Sequence, residues 1–205
     1  MDRWRSAYAS GGGVALRELL ADVEVGEDAT HGPLSDDEIR TLVPGVVVQS
    51  YPDFAKRASI EAITPAGRGV ILYLTEDAST GHWVGLLRNG AGNGAGRTAE
   101  YMDPLGYPPD RPLKWITAAK RGSLNETHPE MQIAFQRAAQ AGYRKIVNTH
   151  DFQKRTPNEA TCGRHVACRL CCDDMSLAQY AAMIASTGMD ADTFVTKATD
   201  MALHG

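Results

Sequence analysis

The chain has 205 residues, 43% hydrophobic and 22% charged, with a formal net charge of −4. These proportions exclude wholesale disorder and fit one globular domain with a full core. The acidic balance argues against nucleic acid as the main ligand, and no apolar stretch approaches the ~20 residues that span a bilayer.

The first residues, Met1-Asp2-Arg3-Trp4-Arg5-Ser6, lack the apolar core of a secretory signal, which predicts a protein that is not secreted and whose thiols stay reduced. Residues 1–30 read as an N-terminal arm, with Gly11-Gly12-Gly13 as a linker and helical periodicity over Val14–Leu20. Residues 31–205 read as the main domain. Ser35-Asp36-Asp37-Glu38 has the form of a capping box and predicts a helix through Val43, ended by Pro44-Gly45. Strands follow at Val70–Leu74, His82–Leu87 and Thr98–Met102. The glycine-rich run 89–96 between the last two predicts a hairpin tip. It leads into a strand where a phosphate cradle needs a helix N-terminus.

Helical periodicity returns at Leu113–Lys120 and Glu130–Ala141, with Gly142 as a C-cap. Lys145–Asn148 predicts a short buried strand. After the loop 149–161 come helices at about 162–172, 176–187 and 191–203, the second opened by Ser176. The expected fold class is α+β, a central, mostly antiparallel sheet flanked by helices.

The chemistry gathers around one cysteine. A thiolate is stabilised by a neighbouring imidazolium or by a helix N-terminus. Cys162 follows the loop Thr156–Thr161 and opens the periodic stretch Cys162–Leu170, which sets its sulfur at a helix N-terminus. Backbone N–H groups there also face a developing oxyanion, and Gly163 leaves room for a substrate carbonyl. His82 starts a central strand and Asp103 ends the next, so antiparallel pairing brings both to one edge of the sheet. Their separation of 21 positions suits a hairpin with a long tip. In such a triad the imidazole takes the thiol proton and the carboxylate fixes its tautomer.

Other groups read as structural. His165, Cys168 and Cys172 share a helical face, but a tetrahedral zinc site needs a fourth ligand from elsewhere; packing is expected, with no metal. All four cysteines fall between positions 162 and 172, too close to staple distant parts of a fold. Lys154, Arg155 and Arg164 offer a secondary reading as contacts to an acidic substrate or nucleic acid, against the commoner reading as solvated surface.

Three motifs in chain order resemble one family. Gly81-His82-Trp83 resembles the His-Trp of the adenovirus maturation protease and the ubiquitin-like-protein proteases of the same fold. Tyr101-Met102-Asp103-Pro104-Leu105-Gly106 is similar to the acidic-Pro-aromatic-Gly element of the adenoviral branch, and Pro157-Asn158-Glu159-Ala160-Thr161-Cys162-Gly163 to its Pro-Asn approach to Cys-Gly. The resemblance implies an adenovirus protease-like cysteine peptidase fold with the triad Cys162-His82-Asp103. No cofactor is expected from the residues themselves. It implies an endopeptidase that cleaves viral structural precursors after small, Gly-type residues during virion maturation, in the virion or the host cytoplasm or nucleus. Trp83 would line the narrow substrate channel. Isopeptidase action on ubiquitin-like modifiers, and an inactive binding module of the same fold, are the alternatives. The family places a Gln oxyanion donor six or seven positions before the cysteine, where this chain has Thr156 and Arg155. Gln153 and Asn158 are the two candidates for that role, with Gln153 favoured.

Overall fold

Among the described residues, five strands form one sheet in the order β1-β2-β3-β4-β5: β1 Val47–Ser50, β2 Arg68–Leu74, β3 Gly81–Asn89, β4 Thr98–Met102 and β5 Arg144–Val147. The computed structural model describes residues 2–23, 32–77, 79–89, 96–156 and 159–204. The chain divides into a sheet unit, 45–149, and a helical unit built from 1–44 and 150–205.

The sheet is mixed. β2–β3 and β3–β4 are antiparallel, but β1–β2 and β4–β5 are parallel, which corrects the expectation of a mostly antiparallel sheet. Parallel neighbours need a crossover. Two short helices, α3 Tyr51–Ala55 and α4 Ile60–Ile63, supply the first; α5 Ala118–Leu124 and α6 Glu130–Gln140 supply the second. Side chains alternate along a strand, so Ile71, Tyr73, Val84, Leu86, Ala99 and Tyr101 share one face. They join a core with Phe54, Ile60, Ile63, Met131, Ala134 and Phe135. The positions between them, including Leu72, Trp83, Leu87 and Met102, are also buried, which explains why these strands read as continuous apolar runs.

Two predicted segments change. The helix expected at 113–120 is broken into a 3₁₀ turn, Pro112–Lys114, and α5, because Thr117 caps a new helix by accepting from the Lys120 backbone N–H. The strand expected to be buried at 145–148 is β5, an edge strand with Arg144 and Lys145 exposed. The start of α6 has no cap of its own at Pro129. Asp110 supplies it: one carboxylate oxygen accepts from the Gln132 N–H at 2.8 Å, the other from Met131 at 3.3 Å and from the Tyr51 and Tyr73 hydroxyls at 2.7 and 3.0 Å.

In the helical unit, α1 Asp2–Ala21 carries Gly11-Gly12-Gly13 inside it, so these residues are not a linker. Gly12 takes a left-handed φ of 64° and kinks the helix. A Cβ on Gly13 would run into the Ser186 backbone of α8 (Leu177–Ser186). The missing side chain thus serves close helix packing. Helix α2, Asp36–Leu42, has the expected capping box on Ser35, and α8 has one on Ser176. Every residue of α7, Cys162–Cys171, is buried. Helix α9, Ala191–His204, holds it through a buried ion pair, Arg164 to Asp200 at 2.6 Å, joined by Thr199. No helix among the described residues is long and apolar enough to cross a membrane.

Candidate active site

The sheet unit holds two of the proposed triad residues. His82 is the second residue of β3, the central strand, and projects on the same face as Val84 and Leu86. Asp103 follows β4 directly. There the chain leaves the sheet in a tight turn, with the Gly106 N–H donating to the Asp103 carbonyl and the Leu105 N–H to the Asp103 carboxylate, both at 2.9 Å. That turn directs the carboxylate toward β3, and His82 Nε2 lies 2.9 Å from Asp103 Oδ1. Both are buried, at 6% and 0% exposure. The predicted pairing across 21 positions is therefore present. With the carboxylate ionised, Nε2 carries the donated hydrogen, which makes Nδ1 the basic nitrogen.

Neighbouring residues fix this pair. Asn148, just past β5, donates its side-chain N–H to the Asp103 carbonyl at 2.6 Å and its backbone N–H to Tyr101 at 2.9 Å. Gly81 lies so close to Tyr73 that a Cβ would collide with the Tyr73 carbonyl, so the residue before the histidine has to be glycine for β3 to enter the sheet here. Trp115 packs edge-on against the His82 ring at 5.0 Å and is 39% exposed. Trp83, the expected channel wall, is the adjacent residue on β3 and leaves from the opposite face. The indole beside the imidazole is Trp115, a residue the sequence reading did not single out. Its only sequence signal is an aromatic in a proline-rich, otherwise polar segment.

The helical unit holds the others. Cys162 is the first residue of α7 and is 6% exposed; Gly163 follows it, also buried. The helix start is fixed by Asp192 of α9. One oxygen of Asp192 accepts from the Thr161 hydroxyl at 2.6 Å and pairs with His165 Nε2 at 2.9 Å; the other accepts from the Lys154 N–H at 3.0 Å. Burial raises the Asp192 carboxyl, but hydrogen bonds from His165, Thr161 and the Lys154 backbone outweigh it and hold the group below its usual range. One carboxylate thus ties both ends of the loop 154–161 to one point.

Gln153, just before that loop, is buried and donates its amide N–H to the Glu159 carbonyl at 3.0 Å. Asn158, the other candidate donor, lies outside the described residues. The three basic residues of the secondary reading each have a carboxylate partner: Lys154 with Asp190, Arg155 with Asp151, Arg164 with Asp200. His165 bonds to Asp192, while burial pushes the Cys168 thiol well up and the Cys172 thiol to about 12. Among the described residues no group of three or more His, Cys, Asp or Glu is arranged to hold a metal ion. No family model, no curated protein and no solved structure matches the chain.

Proposed function

We propose that the chain is a cysteine protease of the adenovirus maturation protease type, cleaving structural precursor proteins after small residues during virion assembly. The observation that supports this most is the buried His82–Asp103 pair at 2.9 Å, formed where β3 starts and β4 ends by residues 21 positions apart. A buried imidazole held by a carboxylate is the arrangement a general base requires. Cys162 at the first position of a ten-residue helix is the matching nucleophile.

In this reading His82 Nδ1 takes the Cys162 thiol proton, and the thiolate attacks the carbonyl carbon of the substrate peptide bond. The oxyanion is received by backbone N–H groups at the start of α7, around Cys162 and Gly163. The imidazolium, steadied by Asp103, then gives its proton to the leaving amine. Water hydrolyses the resulting thioester with His82 again as base.

The test is a peptide-library cleavage profile with the intact chain and its Cys162→Ala variant, run beside ubiquitin-like modifier conjugates that release a fluorophore. Cleavage of peptides after Gly or Ala, absent in the variant, is the expected result. Efficient turnover of the conjugates with no peptide cleavage would replace this reading with the isopeptidase one. Inertness toward both would leave the fold as a binding module.

A further inference from the structure

A second candidate site lies at the proline-rich segment after Asp103. Residues 108–115 run Pro-Pro-Asp-Arg-Pro-Leu-Lys-Trp, a series of tight turns: the Arg111 N–H donates to Pro108, Lys114 to Arg111 and Trp115 to Pro112, at 3.0–3.1 Å. Arg121 ties the segment down by donating to the Leu113 and Ile116 carbonyls. The backbone here is fixed before any ligand arrives. Beside it is a hollow of about 260 Å³, whose lining includes Pro108, Pro109, Arg111, Lys114 and Lys145.

The charges around this hollow are unbalanced. Some exposed cations elsewhere have carboxylate partners, as Arg40 has Asp36, Lys56 has Asp53 and Arg5 has Asp174. Among the described residues none of Arg111, Lys114 and Lys145 is in an ion pair. Arg111 lies over the Tyr107 ring at 5.5 Å, and Lys145 over Phe135 at 5.1 Å. The one acidic lining residue, Asp110, has both oxygens occupied by the α6 amides and the two tyrosine hydroxyls. In a chain of net charge −4, three cations without an ion pair among the described residues thus line one concave site.

The site is also joined to His82 by a continuous aromatic surface. Trp115 meets the His82 ring at 5.0 Å, Tyr107 meets Trp115 at 5.8 Å, and the Arg111 guanidinium lies 5.5 Å from Tyr107. These steps bound the distance from the imidazole to the guanidinium at about 16 Å, four or five residues of extended chain. The hollow is smaller than typical pockets for drug-sized ligands and suits a side chain. A single hollow is also a poor match for nucleic acid, whose backbone needs a stripe of cationic contacts.

We propose that this hollow is a specificity subsite for an acidic side chain of the polypeptide substrate, within about five residues of the cleaved bond, with Trp115 and Tyr107 as the surface the chain crosses. The proposal rests on the protease reading above and adds what that reading leaves open, the charge preference of the substrate.

The experiment takes a cleavable peptide and places Ala, Glu or Lys in turn at each of the five positions on either side of the cleaved bond. With the wild-type chain, Glu at one position raises kcat/KM about tenfold over Ala, chiefly through KM, Lys lowers it, and the preference weakens at high salt. In the double variant Arg111→Glu, Lys114→Glu, both positions being exposed and folding checked by circular dichroism, the preference reverses to Lys. Active enzyme with no charge preference at any position, or a preference untouched by the double variant, overturns the subsite while leaving the protease reading intact. If no peptide is cleaved, the protease reading fails, and fluorescence anisotropy of labelled Glu and Lys peptides on the Cys162→Ala chain decides the hollow. Tighter binding of the Glu peptide, lost in the charge-reversed form, supports it. Equal binding, or binding of a single-stranded oligonucleotide in place of the peptides, overturns it.

Discussion

Glu126→Gln should change how stability depends on pH, and the size of the effect follows from the surroundings of the carboxyl. Glu126 is 1% exposed. One oxygen accepts from the Leu74 N–H at 2.7 Å at the end of β2, and the other is buried with no hydrogen-bond partner among the described residues. Burial pushes the carboxyl up from its ordinary 4.5 to about 7, opposed in part by the Leu74 N–H. The unfolded chain loses this proton near its ordinary value, while the folded chain keeps it until about pH 7. Between those limits the folded state binds more protons, so the free energy of unfolding falls as pH rises. At about 1.36 kcal/mol per pH unit, the loss approaches about 3 kcal/mol by pH 8. Glutamine keeps the acceptor for Leu74 and removes the titration. Urea unfolding followed by tryptophan fluorescence should give similar stabilities for both chains at pH 5 and a variant more stable by about 3 kcal/mol at pH 8. A difference that stays constant from pH 5 to pH 8 would refute the reasoning.

Three further outcomes are expected. Asp110→Asn keeps a residue tolerant of the left-handed φ of 64° at this site but sets an amide N–H against the α6 backbone donors; unfolding should show a loss of about 2–4 kcal/mol, with faster hydrogen exchange at residues 131 and 132. Gly13→Ala drives a Cβ into the Ser186 backbone and should cost about 1–3 kcal/mol in thermal unfolding, where an ordinary helical Gly→Ala change stabilises. On the proposed mechanism, Asp103→Asn keeps an oxygen acceptor for His82 but removes the charge that would steady the imidazolium; kcat for peptide cleavage should fall by up to about 10⁴-fold with KM little changed.

Local chemistry carried much of the fold. Ser35 with Glu38 and Ser176 with Gln179 mark helix starts through their own side chains, and the β-branched and aromatic runs mark β2, β3 and β4. The short elements β1, α3 and α4, of four or five residues, are too brief for a periodic signal, and without them the parallel pairing of β1 with β2 stays hidden. The glycine run misled because composition shows flexibility, whereas packing of Gly13 on α8 decides the outcome. At the site, the order of His82, Asp103 and Cys162 is visible in the chain. Their supports are not: Asn148 meets Asp103 across 45 positions, and Asp192 meets Thr161 across 31. Such contacts follow from topology rather than local pattern.

The central claim, that His82 activates Cys162, is tested most directly by the rate at which an iodoacetamide-type probe labels Cys162 in the native chain and in His82→Ala, with peptide mapping to separate Cys162 from Cys168, Cys171 and Cys172. The account predicts labelling much faster than for an ordinary thiol at neutral pH, dropping at least tenfold in the variant. Labelling no faster than for free cysteine, and unchanged by the substitution, would contradict it.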